Sequence, residues 1–69
     1  MQNRLREIRK EKGLSQLKLA YMTGIPPWEI SRVENNWLVP YPGWRKRFAR
    51  ALGVTEAELF PENGASHAG

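Results

Sequence analysis

The chain has no cysteine and no aspartate, and its single histidine, His67, lies near the C-terminus. The missing cysteine excludes disulfides and thiolate metal sites and implies no secretory setting. One imidazole in a tail cannot build a metal cage. Catalysis needs a nucleophile with its base, or paired carboxylates, brought together in a cleft. Here Glu7, Glu11, Glu29 and Glu34 are scattered among Arg and Lys, the pattern of a solvated surface. Nothing matches a phosphate-binding glycine loop. The residues point away from an enzyme, and no metal and no cofactor is expected.

Long apolar runs are lacking too. No stretch approaches the roughly 20 apolar residues that a membrane span needs. A membrane-surface role would call for a long basic amphipathic helix with a broad apolar face, and none is visible. The start, Met1-Gln2-Asn3-Arg4, runs straight into charge, so no signal peptide is expected and the default compartment is the cytoplasm.

What is present is basic and short. Lys and Arg total 11 against 7 Glu, a net charge of +4 on 69 residues, with an isoelectric point near 10.0. Such a balance favours a polyanionic partner, nucleic acid before an acidic membrane. The length allows one domain, read as residues 1–60 with a disordered tail over 61–69. A domain this small usually draws on a further source of stability. With disulfides and metals excluded, association with a second copy is the expected source.

Breakers at Gly13, Gly24, Asn35-Asn36, Pro40 to Gly43 and Gly53 cut the chain into short amphipathic pieces. Residues 3–12 carry Leu5 and Ile8 at i, i+3 spacing, with Asn3 as N-cap and Leu14 packing after Gly13. Ser15 caps a second helix over residues 16–23. Pro27 suits the first turn of a third, over residues 27–34, whose Ile30 and Val33 face inward and whose end Asn35 and Asn36 can make. Residues 37–43 hold three breakers and cannot be helix throughout. Trp44, Phe48, Ala51 and Leu52 then fall on one face of a fourth helix. Thr55 and Glu58 have the spacing of a capping box, opening a short fifth helix that ends near Phe60. The expected fold is all-α, a compact bundle of four to five helices. The second and third pieces, joined by a short turn containing Gly24, fit a helix-turn-helix unit.

Ser15-Gln16, Leu19-Ala20, Gly24-Ile25, Ile30-Ser31-Arg32-Val33-Glu34-Asn35 and Ala51-Leu52-Gly53-Val54 resemble the phage lambda repressor and Cro family of helix-turn-helix regulators, also called the xenobiotic-response-element family. The resemblance covers about residues 3–60. It implies a double-stranded DNA partner, with the third helix presented to the major groove. It also implies that Gln16 holds a phosphate, that Pro27, Trp28 and Arg32 take the base-contacting positions, and that Arg9 meets Glu34 and lies near a phosphate. Ala20, Ile25 and Ile30 belong to the core at the crossing of the two helices.

The reading helix departs from the family pattern. Its base-contacting positions usually hold polar residues, yet here only Arg32 can form a bidentate pair with guanine. Outward beside it stand Pro27, Trp28 and Glu29. Trp28 has three readings: contact with thymine methyls, packing over Ile25 or Tyr21, or an anchor for a protein. Arg45 and Lys46 are further candidates for phosphate contact, as are Arg6 and Lys10. Trp37, Leu38 and Val39 are expected to join a homodimer contact, at least on DNA; in the competing reading Trp37 or Leu38 folds back over the Trp44–Phe48 face. The expected function is sequence-specific DNA binding by a transcriptional regulator, with no small-molecule effector. The alternative is a protein-interaction module that keeps the fold without base readout.

Overall fold

The computed structural model describes residues 3–61. Five helices follow one another: α1 (Leu5–Glu11), α2 (Gln16–Thr23), α3 (Pro27–Glu34), α4 (Pro42–Leu52) and α5 (Glu56–Leu59). No strand occurs among the described residues. The all-helical bundle expected from the sequence is the fold observed. Helix α2 packs on both α3 and α4, α3 also meets α1, and α5 closes on α4.

The core is assembled from every helix. Leu5 and Ile8 of α1, Leu19 of α2, Ile30 and Val33 of α3, Phe48 and Leu52 of α4, and Leu59 of α5 are buried together with Ile25 and Phe60. Phe48 and Phe60 lie tilted against each other with ring centroids 6.4 Å apart. Leu14, Ala20, Leu38, Trp44 and Ala51 pack around this centre and are partly buried.

Helix ends follow local chemistry. The Ser15 hydroxyl accepts from the Lys18 amide at 3.0 Å and starts α2. Thr55 and Glu58 form the full capping box of α5. Asn3 lies one residue further out than the formal cap Arg4, but its side-chain oxygen takes the Leu5 N–H at 2.9 Å. The same side chain donates to the Val33 carbonyl and to Asn36 Oδ1, so it ties the start of α1 to the end of α3. Helix α3 ends with Asn36 at φ 60°, and the Trp37 N–H returns to the Arg32 carbonyl at 2.8 Å. That is the left-handed turn that Asn tolerates and most side chains resist.

Two boundaries differ from the sequence reading. Helix α1 is shorter at both ends than residues 3–12. Helix α4 begins at Pro42, two residues before Trp44. Pro42 occupies its first turn, where a missing N–H breaks no hydrogen bond and the fixed φ suits the helix, so the residue read as a breaker is a starter. The expectation of disorder for residues 61–69 lies, from residue 62 on, outside the described residues.

Candidate nucleic-acid interface

The α2–turn–α3 unit is held from within. Gly24 adopts φ 75° and caps α2, its N–H bonded to the Ala20 carbonyl. Thr23 is buried: its hydroxyl donates to the Leu19 carbonyl at 2.8 Å and accepts from the Ile25 amide at 3.2 Å. Ile25 is driven into the core, and Pro26-Pro27 restarts the helix. The angle between α2 and α3 is therefore set by buried groups on both sides of the turn.

The inner face of α3 is anchored by Ile30, Val33 and Glu34. Glu34 is the polar hub of the molecule. Its side chain is fully buried, and one carboxylate oxygen accepts from Arg9 Nε at 2.7 Å. The other accepts from Arg9 Nη2 at 3.3 Å, Gln16 Nε2 at 2.9 Å and Arg6 Nε at 3.3 Å. Burial alone pushes the Glu34 pKa up; the hydrogen bonds from Arg9 and Gln16, the Arg9 charge and the hydrogen bond from Arg6 outweigh it, and the carboxyl titrates below its ordinary range. Arg9, only 7% exposed, also donates from Nη1 to the Leu14 carbonyl at 2.8 Å. One buried carboxylate thus ties α1, the start of α2 and the end of α3 together.

The outer face of α3 is open. Trp28 is 67% exposed. Arg32 is exposed as well, and its Nη1 lies 3.2 Å from Glu29 Oε1 one turn earlier. A single contact of this kind, with Arg32 exposed and Glu29 half-buried at the surface, contributes about 0–1 kcal/mol, so Arg32 is readily released to another acceptor. Pro27 is half-buried at the first turn. Beside them, Leu17, Tyr21, Ile25, Pro26, Pro27 and Trp28 line an open apolar groove between α2 and α3, and Tyr21 is 84% exposed.

The remaining candidates are dispersed. Gln16 stands at the N-terminus of α2, where N–H groups and the helix dipole favour an anion, with its amide nitrogen on Glu34. Arg9 points inward. Arg45 faces α5, 3.7 Å from Glu56 and with its guanidinium 5.4 Å from the Phe60 ring centre, while Lys46 on the same helix is exposed. Arg6 is exposed and also reaches Asn35 Oδ1 at 3.1 Å, and Lys10 is exposed. Hence Gln16 and Arg9 are joined through Glu34, Pro27, Trp28, Glu29 and Arg32 share the surface of α3, and Arg45 and Lys46 stand apart on α4.

The segment after α3 divides. Trp37 is 74% exposed and Val39 is exposed, whereas Leu38 packs against the core. Tyr41 rather than Trp37 meets the Trp44 ring, edge-on at 4.7 Å. Several polar ties escaped the sequence reading, two of them beside the α2–turn–α3 unit. One is the convergence of Arg6 and Gln16 on Glu34. The other is Arg47, whose Nη1 donates to the Thr23 carbonyl at the end of α2 at 3.4 Å. Both join residues far apart in the chain, and no local spacing signals them.

Comparison with known proteins agrees with this architecture. A helix-turn-helix family model matches residues 5–39, about half of the chain, from the first turn of α1 to just past α3. A chain of the solved SinR protein/SinI protein complex superposes with a TM-score of 0.80 at 27% sequence identity. The similarity covers 94% of this chain and 64% of that one, so this chain spans less than two thirds of its length. No curated protein matches. With half of the chain matched by that family model, it belongs to the lambda repressor-like helix-turn-helix family of DNA-binding proteins.

Proposed function

We propose that the chain is a sequence-specific regulator of transcription that lays α3 in the major groove of double-stranded DNA, with no catalytic activity of its own. The observation that carries the reading is the two-sidedness of α3. Its inner face is pinned by Ile30, Val33 and the buried Glu34 hub, while Trp28 and Arg32 stand exposed on its outer side. That is the preorganisation a reading helix needs. The net charge of +4 supports a polyanionic partner.

In this reading Arg32 contacts a guanine, Pro27, Trp28 and Glu29 lie against base edges, and Gln16 at the start of α2 takes a phosphate. Arg9 acts by orienting Gln16 through Glu34, and Lys46 and Arg45 of α4 approach the backbone. Residues 1–60 form the DNA-binding domain. A second copy binds through the exposed Trp37 and Val39, with Leu38 supporting the segment from the core side, so two reading helices meet half-sites roughly 34 Å apart. The chain works where the DNA is, in the cytoplasm, and needs no small-molecule effector.

One observation favours a second reading. The open apolar groove along Leu17, Tyr21 and Trp28 is suited to a protein contact. A salt titration separates the two. Binding to random duplex DNA that weakens steeply with salt, through counterion release, supports the DNA reading. Absence of binding at any salt refutes it and leaves the protein-contact module.

A further inference from the structure

Helix α3 offers a potential base-reading surface that is poor in hydrogen-bonding groups. Pro27 has no side-chain donor, Trp28 has a single N–H, and Glu29 is bonded to Arg32 at 3.2 Å. What the surface does offer is apolar area, since the Trp28 indole is 67% exposed and stands beside Pro27 and Tyr21 along one groove. The major-groove edge of a base pair presents one apolar group of its own, the C5-methyl of thymine, and 5-methylcytosine carries the same group at the same place. Trp28 and Arg32 are four residues apart and so lie on one face of the helix, about 6 Å apart along its axis. That separation is roughly two base steps at about 3.4 Å each.

Resting on the DNA-binding reading, we propose that Trp28, backed by Pro27, recognises the 5-methyl group of a pyrimidine, and that Arg32 reads a guanine one or two steps away. The specificity of this chain then comes from one apolar and one charged contact, in place of several polar ones.

The test uses the full chain and a duplex selected from random DNA, with binding followed by fluorescence anisotropy at fixed salt. Each thymine of the selected site is replaced in turn by deoxyuridine, which removes only the methyl. At one or two positions affinity falls about four-fold, the worth of one buried methyl-sized group. Replacing such a T·A pair by C·G weakens binding, and 5-methylcytosine there restores part of the loss. In Trp28→Ala, an exposed position whose loss leaves the core intact, the deoxyuridine penalty vanishes while the preference for the guanine remains. In Arg32→Ala the reverse holds. Indifference of the wild type to every methyl, or an unchanged penalty in Trp28→Ala, overturns the proposal. If Trp28→Ala binds the selected site as tightly as the wild type, the proposal also falls and the ring is left to packing or to a protein contact. Salt-dependent binding without methyl dependence leaves the DNA reading standing, whereas failure to bind any duplex removes both.

Discussion

Replacing Glu34 by alanine strands the Arg9 guanidinium inside the protein. Arg9's side chain is 8% exposed and Glu34's is fully buried, so the charge left behind cannot be hydrated without opening the structure. Losing one member of a buried, hydrogen-bonded pair costs about 3–5 kcal/mol. Arg6 and Gln16 lose an acceptor too, but Arg6 is half-exposed and returns to water at a cost of about 0–1 kcal/mol. A domain of this size has a total stability of roughly 3–10 kcal/mol. Glu34→Ala therefore removes about three tenths of the stability at the least, and about half to three quarters of it in the middle of that range. Urea unfolding followed by tryptophan fluorescence reads the effect. With a slope of about 1 kcal/mol per molar urea, the midpoint falls by about 3 M or more. The double variant Arg9→Met/Glu34→Leu removes both charges, leaves apolar groups of similar reach, and returns to within about 2 kcal/mol of the wild type. A Glu34→Ala midpoint within about 1 M of the wild type, or a double variant no better than the single one, refutes the argument that this pair is buried and locks α1 to α3.

Acid acts on the same hub. The folded-state pKa of Glu34 lies below its unfolded value of about 4.3, so its contribution is complete above that pH and is lost as pH falls through the folded value. Glu7, bonded to Arg4, and Glu58, bonded to the Thr55 amide, are lowered too and add in the same direction. The urea midpoint is expected to be flat from about pH 8 to pH 5 and to drop below about pH 4; a midpoint that rises on acidification contradicts this. Arg32→Ala is expected to cost about 1–3 kcal/mol on the selected site and to relax the choice of base there, while Gln16→Ala weakens all duplexes alike, both read by anisotropy on specific and random DNA. Equal losses on the two DNAs in Arg32→Ala remove its role. Trp37→Ser/Val39→Ser is expected to keep the fold, since both side chains are exposed, and to abolish assembly on a two-half-site duplex in sedimentation; an unchanged assembly excludes this surface as the contact.

Local chemistry made most of the fold legible. The Thr55–Glu58 box, the Ser15 cap, the Asn35-Asn36 stop and the inward Ile30 and Val33 each follow from a few neighbouring residues, and each is found in place. Pro42 was misread because a proline both breaks a helix and begins one, and the residues before it decide which. Tertiary packing decided what local pattern could not. Trp37, Leu38 and Val39 look equivalent as a run of apolar residues, yet Leu38 alone turns to the core, and Tyr41 takes the place beside Trp44. The Arg9–Glu34 pair was accessible through family resemblance. The addition of Arg6 and Gln16 to that carboxylate depended on how α1 and α2 approach the end of α3. The outer face of α3 was legible as a list of outward residues, and its unusual chemistry, tryptophan and proline where polar groups are usual in the resembled family, was already plain from the sequence.

The central claim is that α3 enters the major groove. Interference by methylation of guanine N7, which blocks the major-groove edge, tests it most directly on the selected duplex. The account predicts that a methyl on the N7 of one guanine in each half-site abolishes binding and that Arg32→Ala loses this sensitivity. Binding indifferent to every N7 methyl, but blocked by methylation of adenine N3 in the minor groove, would contradict it.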